Sequence, residues 1–155
     1  MQGRILVVDD VEVNRELLHN MLKDDYVVEM AGNGEEAMQK LLRHKEDIAA
    51  ILLDLQMPGK DGFAVIREIK EKGWLDRIPV LIISSERAVD VDNRCLSMGV
   101  SDFIHKPFEA STVKNRVKNT VELFAWKNRL EQEVERQTET LKQQSQIIKR
   151  QAEQL

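Results

Sequence analysis

Short apolar runs recur along this chain between segments of helical length, and that alternation constrains its fold more than any other feature. The runs fall at Arg4–Val8, Val27–Met30, Ala49–Leu53, Val80–Ile83 and Asp102–His105. Several, such as Ile5-Leu6-Val7-Val8 and Ile51-Leu52-Leu53, lack the polar alternation of a strand with one wet face. Continuous Val/Ile/Leu runs belong to strands covered on both sides. The intervening segments can supply that cover. Leu17, Leu18, Met21 and Leu22 form one stripe at helical spacing, and Phe63, Ile66 and Ile69 form another behind an Asp61-Gly62 entry signal. Gly32-Asn33-Gly34, Pro79, Gly99 and Pro107 punctuate the joints. Alternation of this kind predicts a doubly wound α/β sheet.

The residues just past the end of each run matter as much as the run itself. The first leads into Asp9-Asp10, the third into Asp54, the fourth into Ser84 and the last into Lys106-Pro107. Right-handed crossovers bring every loop that comes after a parallel strand to the same edge, where ligands of such sheets bind. The expected site therefore holds three carboxylates, a hydroxyl and an ammonium group. Crowded carboxylates need a cation, and oxygen donors without His or Cys select a hard ion, Mg²⁺. A lysine and a hydroxyl beside one exposed carboxylate suit in-line phosphoryl transfer onto Asp54. His19, His44 and His105 lie in separate segments and are not expected to bind metal.

Charge and composition narrow the alternatives. Through residue 110 there are 14 basic and 21 acidic side chains, and from 111 onward 9 basic and 6 acidic. An acidic body followed by a tail of mixed sign argues against direct binding of nucleic acid. No apolar stretch approaches the ~20 residues of a membrane span, and the start is too short for a secretory signal. Cys95 is the single cysteine, so a reducing cytoplasm is expected, with Cys95 a small packing residue.

From about Ala110 no further strand is indicated. No Gly or Pro occurs from 108 to 155, which allows one helix of about 45 residues, on the order of 65 Å. Val113, Val117, Val121 and Phe124 form a stripe suited to packing on the sheet. Beyond it a heptad emerges. One seam position holds Leu123, Leu130, Gln137, Gln144 and Gln151, and the other Lys127, Val134, Leu141, Ile148 and Leu155. This predicts a coiled coil, weakened by the glutamines, with β-branched residues favouring two parallel strands. The seam still runs at Leu155, so an output module is expected beyond it.

The blocks Ile5–Asp10, Asp54-Leu55-Gln56-Met57-Pro58-Gly59-Lys60-Asp61-Gly62, Pro79–Ser84 and Asp102–Phe108 together resemble the receiver domain of bacterial response regulators, the CheY-like superfamily, over residues 3–123. The resemblance implies a flavodoxin-like five-stranded parallel sheet of order 2-1-3-4-5, with five helices and the last one extended. It implies that Asp54 accepts a phosphoryl group from a sensor histidine kinase or phosphotransfer protein. Asp9, Asp10, Asp54 and the backbone carbonyl of Gln56 would hold Mg²⁺, while Ser84 and Lys106 would bind the phosphoryl oxygens. Phe103 stands where the family carries its switch aromatic, commonly tyrosine, so its states must differ by packing alone. Asn14-Arg15 resembles receivers attached to hybrid kinases. Residues 124–155 resemble signalling-helix linkers, with Leu123, Leu130, Val134, Leu141, Ile148 and Leu155 as the seam of a homodimer controlling an output domain.

Two other readings compete. A haloacid-dehalogenase-like phosphatase is also α/β with an aspartate nucleophile, but it wants Asp-x-Asp after its first strand, which Asp9-Asp10-Val11-Glu12 fails. A scaffold that dimerises without phosphorylation would have no use for the intact acid, hydroxyl and lysine set. The chain is expected to be a phosphoacceptor and not an enzyme in its own right.

Overall fold

The structure is a computed structural model that describes residues 3–85 and 89–154, with backbone alone for 89–92. Its strands are β1 (Arg4–Val8), β2 (Val27–Ala31), β3 (Ile48–Asp54), β4 (Val80–Ser84) and β5 (Asp102–His105). Its helices are α1 (Glu12–Leu22), α2 (Gly34–His44), α3 (Gly62–Glu71), α4 (Val89–Ser97) and α5 (Ala110–Glu153). All strand pairs are parallel, in the order β2-β1-β3-β4-β5. The expected flavodoxin-like fold is therefore the one observed.

Side chains of the three inner strands, β1, β3 and β4, alternate between two buried clusters, one on each face of the sheet. Leu6, Val8, Ile51, Leu53 and Ile82 face the first, which α2, α3 and α4 complete with Leu41, Ile66, Ile69 and Cys95. Ile5, Val7, Leu52, Leu81 and Ile83 face the second, closed by Leu18 and Leu22 of α1 and Val113 and Val117 of α5. Burying each such side chain contributes about 1.5–3 kcal/mol, which explains why strands with no polar face occupy the middle of the sheet. Helix entries are capped where the sequence offers the means. Asn33 accepts from the Glu36 N–H at 2.8 Å and Asp61 from the Ala64 N–H at 2.9 Å.

The structure departs from the sequence reading in detail. β3 and β4 continue through Asp54 and Ser84, so these polar groups are part of the ladder and not of the turn beyond it; Asp54 pairs with Ile83 and Ser84 with His105. Leu17, placed in the buried stripe of α1, is 44% exposed, because the face turned to the sheet is Leu18 and Leu22. On α5 the buried residues are Val113, Val117 and Thr120, with Val121 packed at the margin.

The chain divides into two compact units, Met1–Glu122 and Leu123–Leu155. Phe124 belongs to the second, where Lys127 Nζ lies 5.1 Å from its ring centre. In that unit Leu123, Leu130, Val134, Leu141 and Ile148 are exposed; Leu155 lies outside the described residues. Among the described residues no helix is long and apolar enough to cross a membrane.

One packing detail ties the scaffold to the sheet edge that carries the charges. A Cβ at Gly62 would lie 2.5 Å from the Asp54 carbonyl oxygen and 2.8 Å from Leu55 Cα, so only glycine lets α3 begin against the end of β3. Alanine is the better helix former by ~1 kcal/mol, yet Gly62→Ala is expected to destabilise the chain by about 1–2 kcal/mol in urea unfolding. A neutral or stabilised variant would show that α3 can withdraw from Asp54 freely.

Candidate functional site: an acidic pocket at the carboxyl edge of the sheet

β1 ends at Val8, and the chain turns immediately through Asp9 and Asp10. Asp9 is fully buried, whereas Asp10 is exposed. The two oxygens of Asp9 are used differently. Oδ1 accepts the Val11 N–H at 2.9 Å, closing the turn into α1, while Oδ2 is buried with no hydrogen-bond partner. An orphaned carboxylate oxygen costs free energy unless a cation meets it. Asp54 is 3% exposed at the end of β3, and its Oδ1 accepts the Gln56 N–H at 3.1 Å.

Asp9, Asp10 and Asp54 each offer an oxygen, and the three oxygens lie within 4.8 Å of one another. Lys106 lies just past β5 on the same edge. Its Nζ is 3.5 Å from Asp54 Oδ2 and 3.6 Å from Asp9 Oδ2. Among the described residues one ammonium group lies against two of these three carboxylates, so the acids outnumber it. Three carboxylates, one oxygen orphaned, and no nitrogen or sulfur donor among them fit a hard divalent cation such as Mg²⁺.

Asp54 responds to this crowding. Burial, with Asp9 and Asp10 adding repulsion, pushes its carboxyl up to about 6, against the opposing pull of the Gln56 N–H and Lys106. Ser84 closes β4 and is buried; its carbonyl accepts the Lys106 N–H at 2.9 Å, tying the two strand ends together. Ser84 also lines a cleft with Gln56, Met57, Pro58, Asp61 and Phe63. Phe103 packs partly against the first core cluster, its ring parallel to that of His105 (7°) with centres 6.5 Å apart.

Two residues that position the site were missed as such in the sequence. Arg15 sends Nη1 back to the Asp9 carbonyl at 2.6 Å, fastening the first turn of α1 to the acidic pair. Gly62 permits the close approach of α3 to the end of β3. Arg15 stood in the Asn14-Arg15 signal, but a basic side chain six residues on gives no hint that it folds back.

The fold and this pocket define a doubly wound α/β domain with an acidic site at the carboxyl edge of its sheet. Residues 5–118 match the response regulator receiver domain family, and the chain belongs to it. Response regulator PleD of Caulobacter vibrioides is 39% identical over 120 residues, covering 77% of this chain and 26% of that protein. Two-component response regulator ORR5 of Oryza sativa subsp. japonica is 34% identical over 110 residues, covering 70% of this chain and 81% of that one. A solved two-component system response regulator/GGDEF domain protein superposes with a TM-score of 0.75 at 29% identity, covering 80% of this chain and 51% of the other. The chain thus spans only about a quarter of PleD's length. Neither the phosphatase nor the bare scaffold finds support in these relatives.

A raised carboxyl makes stability depend on pH. In the unfolded chain Asp54 ionises near 3.8, and in the folded, metal-free protein near 6. Below both values it is neutral in each state and costs nothing. As pH rises from about 4 to 6 an opposing contribution builds, reaching about 3 kcal/mol above pH 6. Asp54→Asn is therefore expected to exceed the metal-free wild type in stability at pH 8 by roughly that amount, and to match it near pH 3.5, measured by denaturant unfolding. Equal stability at both pH values would mean that Asp54 is not held against its charge.

Proposed function

We propose that the chain is a two-component receiver whose Asp54 takes a phosphoryl group from a phosphohistidine on a sensor histidine kinase or phosphotransfer protein. The observation that carries this reading is the buried Asp54 carboxylate with Lys106 Nζ at 3.5 Å and two further aspartates around it. An Asp54 oxygen attacks phosphorus, the P–N bond breaks, and the imidazole leaves with the electron pair and takes up a proton. At neutral pH Asp54 is ionised and presents a carboxylate oxygen able to act as the nucleophile. Asp9, Asp10, Asp54 and the Gln56 carbonyl would hold Mg²⁺, which when bound neutralises charge on the carboxylates and the transferring group. Lys106 then meets one phosphoryl oxygen and the Ser84 hydroxyl donates to another.

The rest of the reading concerns what phosphorylation does. Ser84 moving toward the new phosphoryl group opens space on the face of the sheet where Phe103 packs, and Phe103 switches into it. Residues 3–123 form the receiver and 124–155 the linker, which pairs as a homodimer through Leu123, Leu130, Val134, Leu141, Ile148 and Leu155. The pairing controls an output domain C-terminal to the linker, as the similarity to PleD and to a GGDEF protein suggests. The chain itself is a phosphoacceptor and not an enzyme, it acts in the cytoplasm, and neither nucleic acid nor membrane is its direct partner.

Incubation with Mg²⁺ and acetyl phosphate should add the mass of one phosphoryl group to the wild type and none to Asp54→Asn. Lys106→Ala should keep the acceptor but slow its modification by roughly 100-fold, the usual effect of losing one charge-stabilising donor. Sedimentation should show a larger dimer fraction in the phosphorylated protein. A mass gain that survives Asp54→Asn would remove Asp54 from its role.

A further inference from the structure

We infer that the Gly32-Asn33-Gly34 turn, which supplies none of the expected ligands, braces the cation site from behind and sets its affinity, with Arg15 and Lys60 as positioning residues. This rests on the cation reading of the proposed function and adds what decides how tightly that cation is held. The expected ligands come from two segments. Asp9 and Asp10 follow β1, whereas Gln56 lies in the loop between β3 and α3. The turn between β2 and α2 backs onto a side chain that holds the first segment and onto the backbone of the second.

Arg15 stands on the first side. Its Nη1 donates to the Asp9 carbonyl at 2.6 Å, and the Asp9 N–H donates to the Ala31 carbonyl at 3.1 Å. With Oδ1 taken by the Val11 N–H, the direction of the remaining oxygen, Oδ2, follows the backbone that Arg15 holds. A Cβ at Gly32 would lie 3.3 Å from the same Nη1, so the turn rests directly on the guanidinium. Glu36 Oε2 on α2 accepts the Gly32 N–H at 3.1 Å and keeps the turn in place.

Lys60 stands on the second side. A Cβ at Gly34 would lie 2.8 Å from the Lys60 carbonyl oxygen and 2.8 Å from Lys60 Cγ, so α2 opens in van der Waals contact with the loop that carries Gln56. The Lys60 ammonium group lies 2.5 Å from Glu68 Oε2 and 3.8 Å from Glu35 Oε1. Glu35 is 77% exposed and its pair contributes little, so the partly buried Glu68 is the partner that fixes the loop. The Gly62 N–H donates to the Leu55 carbonyl at 3.2 Å and closes the loop at its base. A shift at Lys60 therefore reaches Gln56 through a short closed loop. Mg²⁺ demands near-ideal octahedral geometry at about 2.0–2.1 Å, so its affinity depends on the spacing of the two segments.

Magnesium titration of the full 155-residue chain by calorimetry tests the brace, with urea unfolding of the metal-free protein beside it. Arg15→Met and Lys60→Met keep the length of each side chain and remove its polar contacts. Gly34→Ala pushes on the Lys60 loop without altering any charge. Each should weaken Mg²⁺ binding roughly tenfold, the lower end of the loss when a group behind a metal ligand is removed. Both methionine variants lose a positive charge, which by itself would tighten a cation, so weaker binding reports geometry. In the double variant Arg15→Met/Lys60→Met the loss should fall short of the product of the single losses, because a brace released at one end no longer holds the other. Any single variant that folds carries the first comparison. Unchanged or tighter binding with lowered stability would overturn the brace and leave the cation site standing, as would a double loss equal to the product. A wild type that takes up no Mg²⁺ would remove the cation site itself, and this inference with it.

Discussion

Repulsion among carboxylates that the sheet cannot move apart is the constraint on which the rest of this molecule depends. Asp9 directly follows β1 and Asp54 ends the neighbouring β3, and the register of the two strands is fixed by ladders buried on both faces. Side chains at the ends of adjacent parallel strands have nowhere to diverge, since a one-residue slip would turn every apolar side chain of the strand to the wrong cluster. The core therefore holds the two acids together. Lys106 offsets part of the charge, and its two near-equal distances, 3.5 and 3.6 Å, place it between the acids and not in a close pair with either. Such a site is unfavourable by itself, and on the proposed function a cation and then a phosphoryl group would relieve it. Free energy held at the sheet edge is what binding can release elsewhere in the fold.

Backbone donors decide which oxygens remain for that chemistry. The Val11 N–H takes one oxygen of Asp9 and the Gln56 N–H one of Asp54. Each carboxylate is thus anchored at one oxygen and presents its other, Oδ2, toward Lys106. A carboxylate fixed in this way cannot rotate away from its neighbours to relieve repulsion. The raised carboxyl of Asp54 results from that arrangement together with burial.

Much of this was legible in the sequence, for an identifiable reason. Strands buried on both faces leave a one-dimensional signature, and charges placed directly after several such runs can meet only at one edge. Asp9, Asp54 and Lys106 were located that way and do meet. What escaped depends on three-dimensional detail. Asp54 and Ser84 belong to their strands because neighbouring strands extend alongside them, which pattern alone does not reveal. Leu17 fits the α1 stripe by spacing, yet a narrow contact with the sheet buries Leu18 and Leu22 and leaves it outside. Arg15 reaching Asp9 and Gly62 meeting Asp54 are close approaches between segments distant along the chain or folded back on themselves. The roles of Ser84, Phe103 and Gln56 rest on the family resemblance, since strand position alone assigns them none.

For the proposed switch, a glutamine-rich segment suits better than a stronger coil would. If leucine occupied every seam position, two helices of about 30 residues would associate at low concentration whatever the receivers did, and phosphorylation would have nothing left to decide. With glutamines at 137, 144 and 151, a coil built from this segment would contribute little association of its own. On the proposed function, receivers brought together by phosphorylation would raise the effective concentration of two linkers, and a marginal coil would convert that modest change into pairing. The same marginality applies at Asp54, where an acid held near its ionisation threshold responds to a single added group.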